Sequence, residues 1–156
     1  MAPVGSRESL AAAFQAGADS VYFGIGTLNM RSKSANEFTI DDLKEIASLC
    51  AERGVKSYLT VNTVIYDEDL PLMRQIVDAA KEAKISAVIA SDAAVMMYCK
   101  QKGVEVHLST QLNISNVEAL KFYSQFEHHF SKHRIVIVSY RIAGKECMDT
   151  EFFRSL

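Results

Sequence analysis

Two hydrophobic periodicities alternate along the first 126 residues of this chain. Short runs rich in β-branched and aromatic residues are typical of strands. The predicted strands are 19–24, 56–62, 87–90 and 104–109. Between them, apolar residues recur every three or four positions, which is the spacing of an amphipathic helix. The predicted helices are 6–16, 39–53, 70–83, 93–102 and 115–124.

Small polar residues and glycines mark the predicted helix ends. Ser6 and Thr39 are suited to be N-caps, because a hydroxyl oxygen there can accept a hydrogen bond from an exposed backbone N–H. Asp92 stands before the helix at 93–102 and could serve the same purpose. Glycines can adopt the left-handed conformation that ends a helix. They are expected to end three helices, at Gly17, Gly54 and Gly103.

The serial order of strands and helices predicts the fold class. Strand–helix units in series form a parallel sheet with right-handed crossovers. No Gly-x-Gly-x-x-Gly fingerprint is present, so a (β/α) barrel is favoured over a dinucleotide-binding sheet. A complete barrel needs ~250 residues. We therefore predict an incomplete TIM-like (β/α) barrel with parallel strands and about five or six units over 1–126. Residues 127–156 are predicted to be a divergent tail with one strand, 135–138.

Composition and charge narrow the class of protein. The chain has 156 residues, of which 49% are hydrophobic and 23% are charged, as in ordinary globular proteins. A net charge of -2 gives no general attraction to nucleic acid or anionic membrane, although a local basic patch would be compatible with it. No apolar run approaches the ~20 residues that span a bilayer. The N-terminal residues lack the pattern of a secretory signal. The cytoplasm is the expected location, with no membrane partner.

Cysteine and histidine spacing argues against a metal centre. The three cysteines, Cys50, Cys99 and Cys147, are far apart and form no Cys-x-x-Cys pair. Cys50 and Cys99 fall in helical patterns and are predicted to be buried. Cys147 lies in the less regular tail and could be exposed. His129 and His133 have a helical spacing, but the glutamate of a His-Glu-x-x-His site is absent between them. We predict no bound metal.

The best candidate site lies at the end of the strand predicted at 104–109. Alternation along a strand places His107 and Ser109 on one face, and Gln111 would follow on it. Thr110 lies between them as a substrate-binding candidate. His107 and Ser109 are ~7 Å apart by strand rise, which argues against a simple Ser–His dyad. His107 could instead only satisfy a hydrogen bond inside the barrel.

Further candidates follow other strands. Asp92 could orient His107 or act as an acid or base, with the N-cap as its alternative role. Asn62 could line the same mouth or form a turn through its side chain. Asn29 and Arg31 lie in the long segment 25–38. Arg31 could bind a carboxylate with two hydrogen bonds, or simply be a solvated loop arginine.

These stretches resemble the peptidase U32 family of collagenase-like proteins over about residues 2–126. The matching segments are 2–6 (APVGS), 16–24 (AGADSVYFG), 29–31 (NMR), 38–39 (FT), 61–63 (VNT) and 107–113 (HLSTQLN). The resemblance implies a (β/α) barrel and two activities. One is peptide hydrolysis, and the other is prephenate-dependent hydroxylation of tRNA or rRNA bases, or of quinones, by an iron–sulfur enzyme. It implies His107, Ser109 and Gln111 as site residues.

The departures from the family pattern set further expectations. The first strand is cut short here, and none of the three cysteines matches the family's cluster ligands. We expect no cofactor bound by this chain, with a 4Fe-4S cluster and prephenate belonging to a full-length parent. The chain is interpreted as a barrel fragment that is inactive alone and forms a homo-oligomer through exposed sheet edges. Of the two family activities, hydroxylation is favoured slightly over peptidase action on a peptide, because no protease constellation is present. A fragment that only self-associates is the alternative.

Overall fold

The computed structural model describes residues 1–30 and 38–126, which form a five-stranded parallel sheet with helices between the strands. The strands lie side by side in chain order. They are β1 (Ala2–Pro3), β2 (Ser20–Gly24), β3 (Lys56–Val61), β4 (Ala87–Ala90) and β5 (Val106–Leu108). The helices are α1 (Arg7–Gln15), α2 (Asp42–Glu52), α3 (Leu70–Glu82), α4 (Ala93–Lys102) and α5 (Val117–Ser124), with short 3-10 turns at Asp67–Asp69 and Thr110–Leu112. This order of parallel strands confirms the predicted α/β class and is that of an incomplete barrel.

The register of the strands divides the sheet into two faces. On one face Phe23, Leu59, Val88 and Val106 lie opposite one another across four strands. All four are buried in the hydrophobic core, together with apolar residues of the helices. On the other face the next row is Gly24, Thr60, Ile89 and His107. Helices therefore cover one face, and the other carries the more polar row that contains His107.

The core packs the helices onto the first of these faces. The largest buried side chains of the helices include Leu43, Ile46, Met73, Ile76 and Met96. Burial of such aliphatic side chains is the main favourable term in folding, at roughly 25 cal/mol per Å² of apolar area. Leu43 and Ile46, like Met73 and Ile76, are three positions apart, which is the spacing of one helix face.

Both predicted helix cysteines are buried, as expected. Cys50 is 1% exposed in α2, and Cys99 is 0% exposed in α4. Desolvation raises the pKa of Cys50 to about 11 and that of Cys99 to about 12. Cys147, His128, His129, His133 and the strand predicted at 135–138 lie outside the described residues.

Most of the predicted helix ends are confirmed. Ser6 caps α1, and its Oγ accepts a hydrogen bond from the Ser9 backbone N–H at 3.3 Å. Gly103 ends α4 in the left-handed conformation, with φ of +69°. Lys84 adopts a similar conformation after α3, with φ of +59°, although it is not a glycine.

The prediction that Thr39 caps α2 is wrong. The helix begins at Asp42, and the hydrogen-bonding roles are reversed, because the Thr39 N–H and hydroxyl donate to the Asp42 carboxylate at 2.8 and 2.7 Å. These two donors lower the pKa of Asp42, the backbone N–H contributing most. A carboxylate accepts two strong hydrogen bonds from the preceding turn, so it competes successfully with the threonine hydroxyl as the local acceptor.

The described sheet ends at β1 on one side and β5 on the other. Both end strands are short, with two and three residues respectively. Short edge strands limit pairing with other chains, so self-association through these edges stays a prediction. No helix within residues 1–30 and 38–126 is long and apolar enough to cross a membrane.

Gly24 at the end of β2 yields a stability prediction. A Cβ there would overlap the carboxamide of Asn29, which is buried. We expect Gly24→Ala to lower the free energy of unfolding by about 1–3 kcal/mol through this steric overlap, measured by chemical denaturation.

The double variant Gly24→Ala/Asn29→Ala is the control. If the overlap is the cause, adding Gly24→Ala to an Asn29→Ala background should cost much less than adding it to the wild type. An equal loss in both backgrounds would contradict the steric explanation.

Candidate functional site

A cavity of about 410 Å³ lies on the sheet face that carries His107, toward the carboxyl ends of the strands. Its floor comes from the sheet and includes Tyr22, Thr60, Ile89 and His107. Its rim comes from the segments that follow the strands and includes Met30, Asn62, Ser109, Thr110 and Gln111. Parallel α/β proteins place their sites at this end of the sheet.

A chain of hydrogen bonds joins the rim residues. The backbone N–H of Met30 donates to Asn62 Oδ1 at 3.2 Å. Asn62 Nδ2 donates to Gln111 Oε1 at 3.0 Å, and the Ser109 hydroxyl donates to the same oxygen. Three segments that are distant in sequence are therefore fixed to one another at the mouth of the cavity.

The direction of this chain follows from its backbone donor. Because a backbone N–H can only donate, the atom of Asn62 that faces Met30 must be the oxygen. The Asn62 amide nitrogen then donates to Gln111, which must present its own oxygen. The Gln111 Nε2 group has no hydrogen-bond partner among the described residues. It therefore supplies two N–H donors to the mouth of the cavity.

Gln111 lies in a turn beyond the strand, so the strand alternation that was predicted to place it on the face of His107 does not extend to it. Thr110–Leu112 is a 3-10 turn, and Ser109 is its N-cap. The Ser109 hydroxyl oxygen accepts from the Gln111 backbone N–H at 3.5 Å, which favours a turn over an extended chain. Gln111 nevertheless lines the same cavity as His107 and Ser109.

The Ser109 hydroxyl donates its hydrogen bond to the amide oxygen of Gln111 and not to a catalytic base. The residue is 7% exposed, and its hydroxyl donates to Gln111. Among the described residues, Ser109 makes no hydrogen bond to His107. A serine nucleophile needs a base within ≈ 2.6–3.2 Å of its oxygen, so this arrangement lacks the contact of a Ser–His pair.

His107 is held from two sides. The ring of Tyr58 lies against it, with ring centroids 4.8 Å apart and an interplanar angle of 40°. Glu105 Oε1 lies 3.3 Å from His107 Nε2. Tyr58 is 5% exposed, so the ring beside His107 is part of the packed sheet.

Asp92 lies outside the cavity lining. One carboxylate oxygen caps α4 by accepting from the Ala94 backbone N–H at 2.8 Å. The other accepts from the Ile65 backbone N–H at 3.1 Å. The N-cap alternative is thus the role that the structure shows, and a catalytic role for Asp92 stays a prediction.

Of the two candidates in the segment 25–38, the structure describes Asn29 but not Arg31. Asn29 is buried, and its Nδ2 donates to the backbone oxygens of Ile25 and Gly26 at 3.2 and 2.9 Å. These bonds bind the turn after β2 together, so substrate binding by Asn29 is an untested prediction. Arg31 lies outside the described residues.

The described residues do not fit an iron–sulfur cluster. They contain no group of three or more His, Cys, Asp or Glu side chains that could hold a metal ion. Cys50 and Cys99 are buried in separate helices, and their raised pKa disfavours the thiolate that such a cluster requires.

Sequence reasoning missed two neighbours of His107 and one donor at the rim. Strand alternation could have identified Glu105, which lies two residues before His107. Tyr58 could have been found only from the register of the sheet. The backbone N–H of Met30 carries no signal in the sequence.

Comparisons with known proteins identify the family. A sequence model described as peptidase family U32 matches residues 5–137, which is most of the chain. The chain belongs to the peptidase U32 family. A U32 peptidase of known structure matches with a TM-score of 0.59 at 14% identity, covering 80% of this chain and 53% of that one. This match supports the fold, and the family match confirms the predicted resemblance.

Two U32 relatives carry different names. A collagenase from Porphyromonas gingivalis is 71% identical over 126 residues, which cover 81% of this chain and 30% of the relative. The tRNA hydroxylation protein P1 of Bacillus subtilis is 32% identical over 127 residues, which cover 80% of this chain and 30% of the relative. The chain therefore spans about a third of the length of the curated relatives it matches.

The two hydrogen bonds that Asp92 accepts, one at the start of α4 and one from Ile65, yield a second prediction. We expect Asp92→Ala to lower the free energy of unfolding by about 1–2 kcal/mol, because two backbone N–H groups lose their acceptor. Chemical denaturation of the purified chain measures this. Asp92→Asn keeps one acceptor oxygen and should lose less. Equal stability of the alanine variant and the wild type would contradict the capping role.

Proposed function

We propose that this chain forms the substrate-binding wall of a U32 enzyme that hydroxylates an RNA base. The observation that carries the proposal is the hydrogen bond from Ser109 to Gln111. It commits the serine proton to an amide oxygen, which is too weak a base to activate a nucleophile. With its oxygen occupied by Ser109 and Asn62, Gln111 keeps its amide nitrogen available to a ligand in the cavity that it lines. Ser109 and Gln111 are therefore arranged to bind a substrate and not to attack one.

The other candidate nucleophiles are also unsuited to peptide hydrolysis. Cys50 and Cys99 are buried, and desolvation raises the pKa of both thiols. A reactive cysteine needs an accessible site that stabilises the thiolate. Ser109, Cys50 and Cys99 therefore all lack the surroundings of an activated nucleophile.

The cavity suits a flat ring that bears a carbonyl group. Tyr22 and Ile89 supply apolar surface at its floor, and Gln111 supplies two donors at its rim. Enzymes that modify nucleobases read an unstacked base by contact with aromatic and apolar side chains and by hydrogen bonds to its edge. A pyrimidine carbonyl oxygen would be a suitable acceptor for the Gln111 amide. His107, in the same cavity, would serve as the acid–base group.

The cofactors of the proposed reaction require residues beyond those described. The family resemblance implies a 4Fe-4S cluster and prephenate as oxygen donor. Since the described residues do not fit a cluster, no role in its binding is assigned to them. Arg31 is proposed as a partner for a prephenate carboxylate, and Asn62 and Thr110 as further contacts to the substrate.

Peptide hydrolysis is the second candidate. It is favoured by the high identity to a relative named collagenase. A peptidase would have to obtain its nucleophile or metal from residues outside the described ranges. A fragment that only self-associates is the third candidate, since the described sheet has two unpaired edges.

The two enzyme classes can be separated in the organism that encodes this chain. We expect that disrupting its gene removes a nucleoside that is 16 Da heavier than its unmodified form. Mass spectrometry of digested tRNA and rRNA measures this, and cleavage of collagen peptides by extracts should not change. The intact gene, supplied again, is the control.

Two other outcomes would contradict hydroxylation. Unchanged RNA with loss of collagen cleavage would establish the peptidase. Unchanged RNA and unchanged cleavage, with an oligomer of the purified chain in sedimentation, would support the self-associating fragment.

The donor role of Gln111 yields a sharper prediction. Gln111→Glu keeps an acceptor for Asn62 and Ser109 but replaces the two N–H donors with oxygen. We expect the full-length parent that carries this variant to bind its RNA substrate about tenfold more weakly. One hydrogen bond is lost, and a carboxylate oxygen then faces the carbonyl oxygen of the base. Direct binding measurements on both proteins test this.

Gln101→Glu is the matched control. Gln101 is an exposed residue of α4 outside the cavity lining, and the variant makes the same change of charge. It should bind RNA as the wild type does. Equal weakening by both variants would indicate a general charge effect and would contradict the donor role.

A further inference from the structure

The contact between Glu105 and His107 has no role in the binding network described above. Glu105 immediately precedes β5, and its backbone oxygen accepts from the Val88 N–H at 2.8 Å, which extends the pairing with β4. Its backbone is therefore held in the register of the sheet. Strand alternation places its side chain on the same face as His107, and their 3.3 Å contact is the result.

This contact determines which ring nitrogen of His107 carries the proton. A carboxylate can accept a hydrogen bond but cannot donate one. The neutral imidazole must then place its proton on Nε2, the nitrogen that faces Glu105. Nδ1 is left unprotonated and can accept a proton. Tyr58 packs against the ring and hinders its rotation.

We infer that Glu105 is a positioning residue, which fixes the tautomer of His107 so that Nδ1 is the base. Carboxylates hold histidine bases in this way in other enzymes, where the second nitrogen reacts. Among the described residues, the charged group against the ring is Glu105, which lies two positions before His107, and the uncharged Tyr58 contacts the ring from β3. On β4 the neighbour is Ile89, which carries no charge.

The inference rests on the proposed acid–base role of His107, but its first test does not. Nitrogen-15 NMR of the histidine side chains reports the tautomer in the isolated 156-residue chain. We expect the Nε2–H form of neutral His107 to predominate in the wild type. In Glu105→Gln the amide can donate as well as accept, and the share of the Nδ1–H form should rise about threefold.

Glu82→Gln is the control for loss of a surface carboxylate. Glu82 is exposed and lies 3.5 Å from Lys44 on the helical side of the sheet. This variant should leave the tautomer of His107 unchanged. A wild-type His107 in the Nδ1–H form, or an unchanged ratio in Glu105→Gln, would overturn the inference.

Turnover by the full-length parent then separates this inference from the proposed function. We expect His107→Ala to abolish turnover, and Glu105→Gln to lower kcat with KM changed less than about twofold. If Glu105→Gln shifts the tautomer while His107→Ala is fully active, the proposed acid–base role fails and the tautomer assignment stands. If the tautomer does not shift, the assignment fails whatever the turnover.

Discussion

The register of the parallel strands is the constraint on which the rest of the structure depends. Parallel pairing places Gly24, Thr60, Ile89 and His107 in one row and the buried Phe23 row on the opposite face. A shift of one residue in any strand would exchange its two faces. The helices would then meet polar side chains, and His107 would leave the cavity. Burial of the core and placement of the site are thus enforced by the same hydrogen-bond ladder.

The site is built from groups whose hydrogen bonds have a fixed direction. Asn62 and Gln111 are 49 residues apart in sequence, yet their amides are joined because both follow strands of one sheet. At the floor, Tyr58 and Glu105 restrict the ring of His107. These contacts favour a preorganised binding surface, in which side chains already have the orientation that a substrate needs. Ser109 is part of this network, because its hydroxyl is hydrogen-bonded to Gln111.

Local signals account for what the sequence predicted well. The strands, the cap at Ser6 and the buried cysteines depend on near neighbours or on helical spacing, so they could be identified without the structure. The absence of a cap at Thr39 could not be identified in this way, because it depends on competition with the carboxylate of Asp42. Gln111 lines one cavity with His107, but a turn and not strand alternation brings it there. Its contact with Asn62 depends on register, which spacing alone does not specify.

The backbone N–H of Met30 has a consequence for how such a pocket could change during evolution. Hydrogen bonds along a chain of side-chain amides can run in either direction, because each amide can donate or accept. Here the direction is determined by the Met30 backbone N–H at one end. If the loop after β2 presented a carbonyl oxygen there, Asn62 and Gln111 could both rotate, and the cavity would receive an acceptor in place of two donors. A change of loop conformation could therefore invert the preference of the pocket for its ligand without replacing any side chain in it.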